Sequence, residues 1–341
     1  MPSGSSKSKP KPADVAAETK KQLIPTVRNK YAQVDMTSIC YHHPMTQLNF
    51  IERTLDLSPP QFFVNIGDPA DAALNWARAE QISIPFICPA NDQRPGGDWE
   101  TGAAGYEERL CRRSTLSATL ATPAPGPRVD CHYPIPMYGG ILSREVVVFR
   151  GPHDRYEKLP PDQWATLPVV SVPPARWPKL TQNGTKYSFA SEREMVKDKL
   201  RSALRICAYE AHPYVVIGDF GLGNGYRNPP QELAELWREV LLYDPDLRGR
   251  IRQVAFVFED PNQNTSQLIL DDLAKKSKSG PSSSKSKSKS KPSSSSGSSS
   301  SSSSSSPTDY QIFNWIFSDT EVQRVLSQPD SRYGFDTLLS G

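Results

Sequence analysis

The sequence predicts an α/β domain built on a mixed or mainly parallel sheet of about six strands. Two observations carry that prediction. Six short runs have β character: FFVNI (62–66), IPFIC (84–88), EVVVF (145–149), PVVSV (168–172), YVVIG (214–218) and VAFVF (254–258). Several are apolar at nearly every position, as expected of strands covered on both faces. Two helical stripes lie among them, one of Val196, Leu200, Ala203, Leu204 and Cys207, the other of Leu233, Leu236, Trp237, Val240 and Leu241. Their spacing puts each set on one face of a helix, and strands that alternate with helices pack as layers.

The ends of the chain differ in composition from this centre. Residues 1–20 are rich in Ser, Lys, Pro and Gly, and 275–307 are nearly pure Ser and Lys; neither holds enough apolar surface to offset the entropy of ordering, so both are expected to be disordered. The domain is then assigned to 21–274. Residues 308–341 turn apolar again, with Ile312, Phe313, Ile316 and Phe317 on one helical stripe, and are expected to form a helix that packs back on the domain.

The 341 residues are 37% hydrophobic, enough for a sizeable core. The formal charge of +3 is uneven, because seven lysines between Lys275 and Pro307 stand without any acid and leave the rest of the chain at −4. A basic platform for specific nucleic-acid binding is therefore not expected. No apolar run has the length of a membrane span and the N-terminus lacks a signal peptide, which predicts an intracellular chain, cytoplasmic or nuclear, and monomeric. Five cysteines stand without a CxxC pair; neither Cys40 with His42 and His43 nor Cys131 with His132 has zinc-site spacing, so no metal and no cofactor is expected.

In a sheet of this kind ligands bind at the carboxyl ends of the strands. Three loops there are rich in small residues: IGDPADAAL, PANDQRPGGDWETGAAG and DFGLGNGYRNPP. The third runs through glycines into Pro229 and Pro230 and then a helix, so bare backbone N–H groups next to a positive helix end form an anion cradle; an ordinary tight turn has the same composition. The second lets a ligand approach Gly96 and Gly97 and ends at a helix that starts with Glu107 and Glu108. Adjacent carboxylates resist double ionisation, so one of the two holds a proton more readily near neutral pH. The alternative for EERLCRR is a solvated helix face with ion pairs.

These blocks resemble the microbial-type poly(ADP-ribose) glycohydrolases, a branch of the macrodomain fold. PGGD followed by GAAGYEERLCRRSTL is similar to that family's PGGG and Gln-Glu-Glu signature, and GDFGLGNGYRNPPQELAELWREVL is similar to its second phosphate loop. The resemblance implies a macrodomain-like three-layer α/β/α sandwich and hydrolysis of the O-glycosidic ribose linkages of poly(ADP-ribose), or of related O-linked ADP-ribose on modified proteins. It implies Glu108 as the general acid and Glu107 as the residue that orients the ribose. It places Gly96, Gly97, Asn91, Tyr106, Gly221, Gly223, Gly225, Tyr226 and Asn228 around the ligand, with Asp68 at the adenine amine. The chain departs from the pattern at Asp98, where the third glycine stands, at Tyr106, where the glutamine stands, at Arg94 and at Leu222. A carboxylate at position 98 repels a diphosphate unless it turns away or pairs with Arg94. The alternative function is a non-catalytic module that binds ADP-ribose, with both glutamates kept only as ribose contacts.

Overall fold

The computed structural model describes residues 9–50, 58–126, 131–278 and 306–328. Seven strands form one mixed sheet: β1 (Ile39–Tyr41), β2 (Gln61–Ile66), β3 (Phe86–Pro89), β4 (Gly140–Val148), β5 (Ala165–Val172), β6 (Tyr214–Ile217) and β7 (Gln253–Phe258). Their order is β1-β4-β5-β3-β6-β7-β2, with β5, β3, β6, β7 and β2 parallel; at one edge β4 pairs antiparallel with β5, and β1 antiparallel with β4. All six runs read as strands lie in this sheet. The seventh, β1, went unread because its three half-buried residues show no periodicity of their own.

Side chains alternate between the two faces, as the pleat requires. Val254, Phe256 and Phe258 of β7 enter one core while Ala255 and Val257 enter the other. The first core is closed by α7 (Ala190–Tyr209), α8 (Pro230–Tyr243) and α10 (Asp309–Ile316), which is followed by α11 (Asp319–Leu326). The second is closed by α1 (Pro12–Glu18), α2 (Ile24–Lys30), α4 (Pro69–Glu80), α5 (Tyr106–Arg113) and α6 (Leu116–Leu120); α3 (Pro44–Gln47) and α9 (Thr265–Lys278) lie outside this layer. The result is an α/β/α sandwich.

Two assignments at the ends change. The stretch read as a disordered tail over 1–20 is helical from Pro12, with Val15, Ala16 and Thr19 buried, and Thr19 Oγ1 donates to the Arg112 carbonyl at 2.7 Å. Its Lys and Pro content hid two small apolar contacts and one hydroxyl that about one turn of helix gathers on a single face. At the other end α9 runs on to Lys278, past the boundary set at 275, while 279–305, the bulk of the Ser/Lys tract, lies outside the described residues. Phe313 packs edge-on and Phe317 tilted against Phe256, with ring centroids 5.2 and 4.4 Å away.

Candidate active site

The five parallel strands end along one edge, and the loops that follow β3, β5 and β6 converge there. Glycine shapes the first loop in two ways. Gly96 adopts φ +72°, and a Cβ on it would come within 2.8 Å of both Cys111 Sγ and the Trp99 ring, so only glycine lets the loop lie against α5. A Cβ on Gly105 would overlap the Glu108 carboxylate and sit 2.9 Å from its Cδ. Gly102, by contrast, has open space around it.

Arg112 fixes the rest of this loop from below. It is 1% exposed and donates to the carbonyls of Trp99 at 3.0 Å, Thr101 at 3.3 Å and Ala103, and to the Tyr156 hydroxyl at 3.0 Å. EERLCRR is thus not a solvated face, since Glu107, Arg112 and Arg113 are all buried. Sequence reasoning missed Arg112; a basic residue four and five positions after the two glutamates gives no signal of the carbonyls it collects.

Glu107 and Glu108 differ sharply in surroundings. Glu107 is 1% exposed; its Oε2 accepts the backbone N–H of Asn91 at 2.7 Å, and its Oε1 has no partner among the described residues. Burial raises its pKa to about 8, against the N–H groups of Asn91 and Gly96, and the charge of Glu108 adds to the rise. Glu108 is half-buried at the mouth, where the Asp98 N–H approaches its Oε1 at 3.4 Å. The Tyr133 hydroxyl, also buried and unpartnered among the described residues, lies in the electrostatic reach of Glu107. A buried polar atom without a partner is costly, so two together mark where polar groups of a ligand belong.

Asp98 turns away from the site. It pairs with Arg94, and both side chains are more than half exposed. The conflict expected from a carboxylate in place of glycine is resolved by that pair, and the backbone N–H at 98 remains directed at Glu108. Asn91 Oδ1 accepts from Gln93 N and Arg94 N at 2.8 and 3.1 Å, which forms the turn that opens the loop.

In the loop after β6, Gly221 and Gly223 take φ +80° and +73°. The Gly223 N–H donates to Thr265 Oγ1 at 2.7 Å, whose own hydroxyl donates to Asp309 Oδ2 at 2.6 Å; all three groups are buried. Gly225 is open, with nothing near a Cβ placed there. Tyr226 lies under the Arg176 guanidinium, 5.4 Å from the ring centroid.

Three candidate ligand contacts are spent inside the protein. Asn228 is 1% exposed and uses its whole amide, donating to the Ala175 and Gly221 carbonyls at 2.8 Å and accepting from Tyr187 at 2.9 Å; it shapes the loop and has nothing left for a ligand. Asp68 caps α4 through Asp71 N and pairs with Arg113 at 2.8 Å. The gap between Asp68, Tyr106, Arg109 and Glu259 holds only about 10 Å³, room for a single water and not for an adenine. Tyr106 hydrogen-bonds the buried Asp219, which also accepts from Gln263 Nε2 at 2.9 Å, so it braces the site rather than facing it. Local sequence could not show these commitments, since every partner comes from a distant segment.

Asp68, His153 and Glu259 bring potential metal-ligating atoms within 4.8 Å of one another. The carboxylates already carry arginines, Asp68 with Arg113 and Glu259 with Arg109, and burial together with Arg109 lowers the His153 pKa to about 4. The cluster is therefore charge-compensated without an ion. No helix among the described residues is long and apolar enough to cross a membrane.

The fold has counterparts in known proteins. Residues 25–151, which include β3, the glycine loop and α5, match the family model of the microbial-type poly(ADP-ribose) glycohydrolase catalytic domain. This segment belongs to that family. The chain thus carries the catalytic domain of a glycoside hydrolase. Its fold is similar to that of poly(ADP-ribose) glycohydrolase from Thermomonospora curvata, with a TM-score of 0.58 and 20% identity over 77% of this chain and 98% of that one. The same bacterial glycohydrolase bound to the inhibitor ADP-HPD gives the same score over 78% and 98%. A Deinococcus radiodurans poly(ADP-ribose) glycohydrolase in complex with ADP-ribose gives 0.50 and 20% identity over 72% and 98%. No curated protein matches the sequence.

Proposed function

We propose that this glycohydrolase domain hydrolyses the O-glycosidic ribose linkages of poly(ADP-ribose), or of O-linked ADP-ribose on proteins, by general-acid catalysis from a side chain. The observation that carries the reading is the Glu107 and Glu108 pair, one buried with an unpartnered oxygen and the other at the mouth against bare backbone. Cleavage of a ribosyl linkage needs a proton at the leaving oxygen and stabilisation of an oxocarbenium-like carbon. Burial keeps one proton on the pair at neutral pH, held by Glu107 in the free protein. A ligand laid over the pair excludes solvent from both carboxyls.

Glu108 then protonates the leaving oxygen as the C–O bond breaks, and water adds to the ribosyl carbon and returns a proton to Glu108. Glu107 holds the ribose through the free Oε1 and the Tyr133 hydroxyl assists it. Backbone N–H groups of the loop after β6, with Gly225 open to solvent and Tyr226 alongside, cradle the diphosphate. Gly96 and Gly97 let the distal ribose come close. The test is release of ADP-ribose from automodified polymer by the wild type and by Glu108→Gln. Release that is lost in the variant supports the reading; ADP-ribose binding without release by the wild type replaces it with a module that only binds.

A further inference from the structure

A cavity opens next to the turn that holds Glu107, with Asp92, the residue after Asn91, in its wall. It has a volume of about 320 Å³ and lies between the segment after β3, the 135–137 segment, the β5 exit and α7, lined among others by Asp92, Ile135, Met137, Pro174, Arg176 and Lys199. Its link to the catalytic centre is short. Asp92 follows Asn91, whose N–H holds Glu107, and the Ile135 N–H donates to the Asp92 carbonyl at 2.8 Å. Arg176 spans both sites, since it covers the Tyr226 ring and its charge acts on Glu107.

The chemistry of the walls is specific. Lys199 projects from the mainly apolar buried face of α7, is 7% exposed, and has the Met137 carbonyl as its hydrogen-bond acceptor. An ammonium buried beside one carbonyl, with the Asp92 carboxylate within its electrostatic reach, still has further N–H groups to offer an anion. Ile135, Met137 and Pro174 give apolar surface, Asp92 offers a carboxylate to hydroxyls, and Lys199 and Arg176 supply positive charge. Mostly apolar walls with a few convergent polar groups, at the low end of ligand-pocket volumes, suit one nucleoside with its phosphate.

We propose that this cavity is a leaving-group subsite that takes the adenosine-phosphate end of the neighbouring ADP-ribose unit in the polymer, with Lys199 as its phosphate contact. This rests on the proposed glycohydrolase reading, because in a polymer the group that departs from the cleaved ribose is itself an ADP-ribose unit with a diphosphate. The subsite sets a preference for polymer over single ADP-ribosyl groups, whose leaving group carries no phosphate to reach Lys199.

Two measurements test it on the full chain. In the first, ADP is titrated calorimetrically into protein saturated with ADP-ribose. One further site is expected, weakened at least about tenfold in Lys199→Met, with ADP-ribose affinity itself unchanged. In the second, polymer hydrolysis by Lys199→Met is expected to show KM raised about five- to tenfold with kcat within about twofold, the pattern of lost binding shared by ground and transition states. Lys199→Gln, which keeps a donor for the Met137 carbonyl, guards against a folding defect and is expected to fall in between. No ADP site on the saturated protein, or a polymer KM unaltered in both variants, overturns the proposal. A wild type that takes up ADP in this cavity but releases nothing from polymer refutes the glycohydrolase reading and leaves the nucleotide site standing.

Discussion

Gly105→Ala isolates the position of Glu108 from its chemistry. Gly105 has φ −66° and ψ 160°, a conformation open to alanine, so the backbone is not strained by the change. The added methyl overlaps Oε2 of Glu108 and approaches Cδ to 2.9 Å, while no backbone atom stands among its three nearest contacts. The obstacle is the far end of a flexible side chain, which yields by rotating away by on the order of 1 Å. Displacement of a catalytic group by that distance costs roughly 10²-fold in rate. The loss of glycine at the helix cap costs at most about 1 kcal/mol, a shift of a few degrees in Tm. ADP-ribose release from polymer should therefore fall about 10²-fold, measured beside a melting curve that barely moves. Gly102→Ala, where a Cβ meets nothing within 4 Å, is the internal control and should keep full turnover. Wild-type rates in Gly105→Ala would refute the placement of Glu108 as the acid at this loop.

Other outcomes follow from the same geometry. Glu108→Gln should lower turnover by about 10²- to 10⁴-fold and leave ADP-ribose affinity almost unchanged, whereas Glu107→Gln should weaken binding as well; calorimetry beside the release assay separates the two. Folded Glu107 titrates near 8, above its ordinary 4.5, so the folded state keeps a proton that the unfolded chain has released between those values. Stability should then fall as pH rises from about 4.5 to 8, by on the order of a few kcal/mol, and Glu107→Gln should flatten that slope in urea titrations; equal slopes in both proteins would contradict the buried proton. Thr265→Val orphans the Gly223 N–H and removes one of the two donors to Asp309 Oδ2, where Gln263 Nε2 remains, a loss of about 1–3 kcal/mol in urea unfolding with weaker ADP-ribose binding, and a change below about 0.5 kcal/mol would mean that the loop is held some other way. Asp98→Gly should change ADP-ribose affinity by less than about threefold, since an exposed ion pair with Arg94 is worth little; a tenfold gain would show that its charge faces the ligand.

What could be read from the sequence was whatever depends on neighbours along the chain. The β5, β6 and β7 runs are apolar on both faces because both cores claim them, and the α7 and α8 stripes repeat at helical spacing, so pattern sufficed. The two glycine loops and the paired glutamates were visible for the same reason. Commitments made across the fold were not. Asn228, Asp68 and Tyr106 look like ligand contacts in their loops, yet Tyr187, Arg113 and Asp219, each remote in sequence, take up their polar groups. The helix over 12–18 was hidden for a related reason, since the value of Val15 and Ala16 depends on a surface that only the assembled sheet and α5 provide.

Asp309 reaches the first residue of α9 from a segment that lies beyond the whole catalytic set, and its two oxygens fix both the N–H and the hydroxyl of Thr265. Every loop residue and both glutamates precede it in the order of synthesis. A nascent or prematurely terminated chain that stops before residue 306 thus possesses all the groups proposed to act on the ligand and lacks the carboxylate that anchors the brace under Gly223. The proposed activity thus depends on a carboxylate made after every group proposed to act, and translation products that lack Asp309 should be unable to trim polymer.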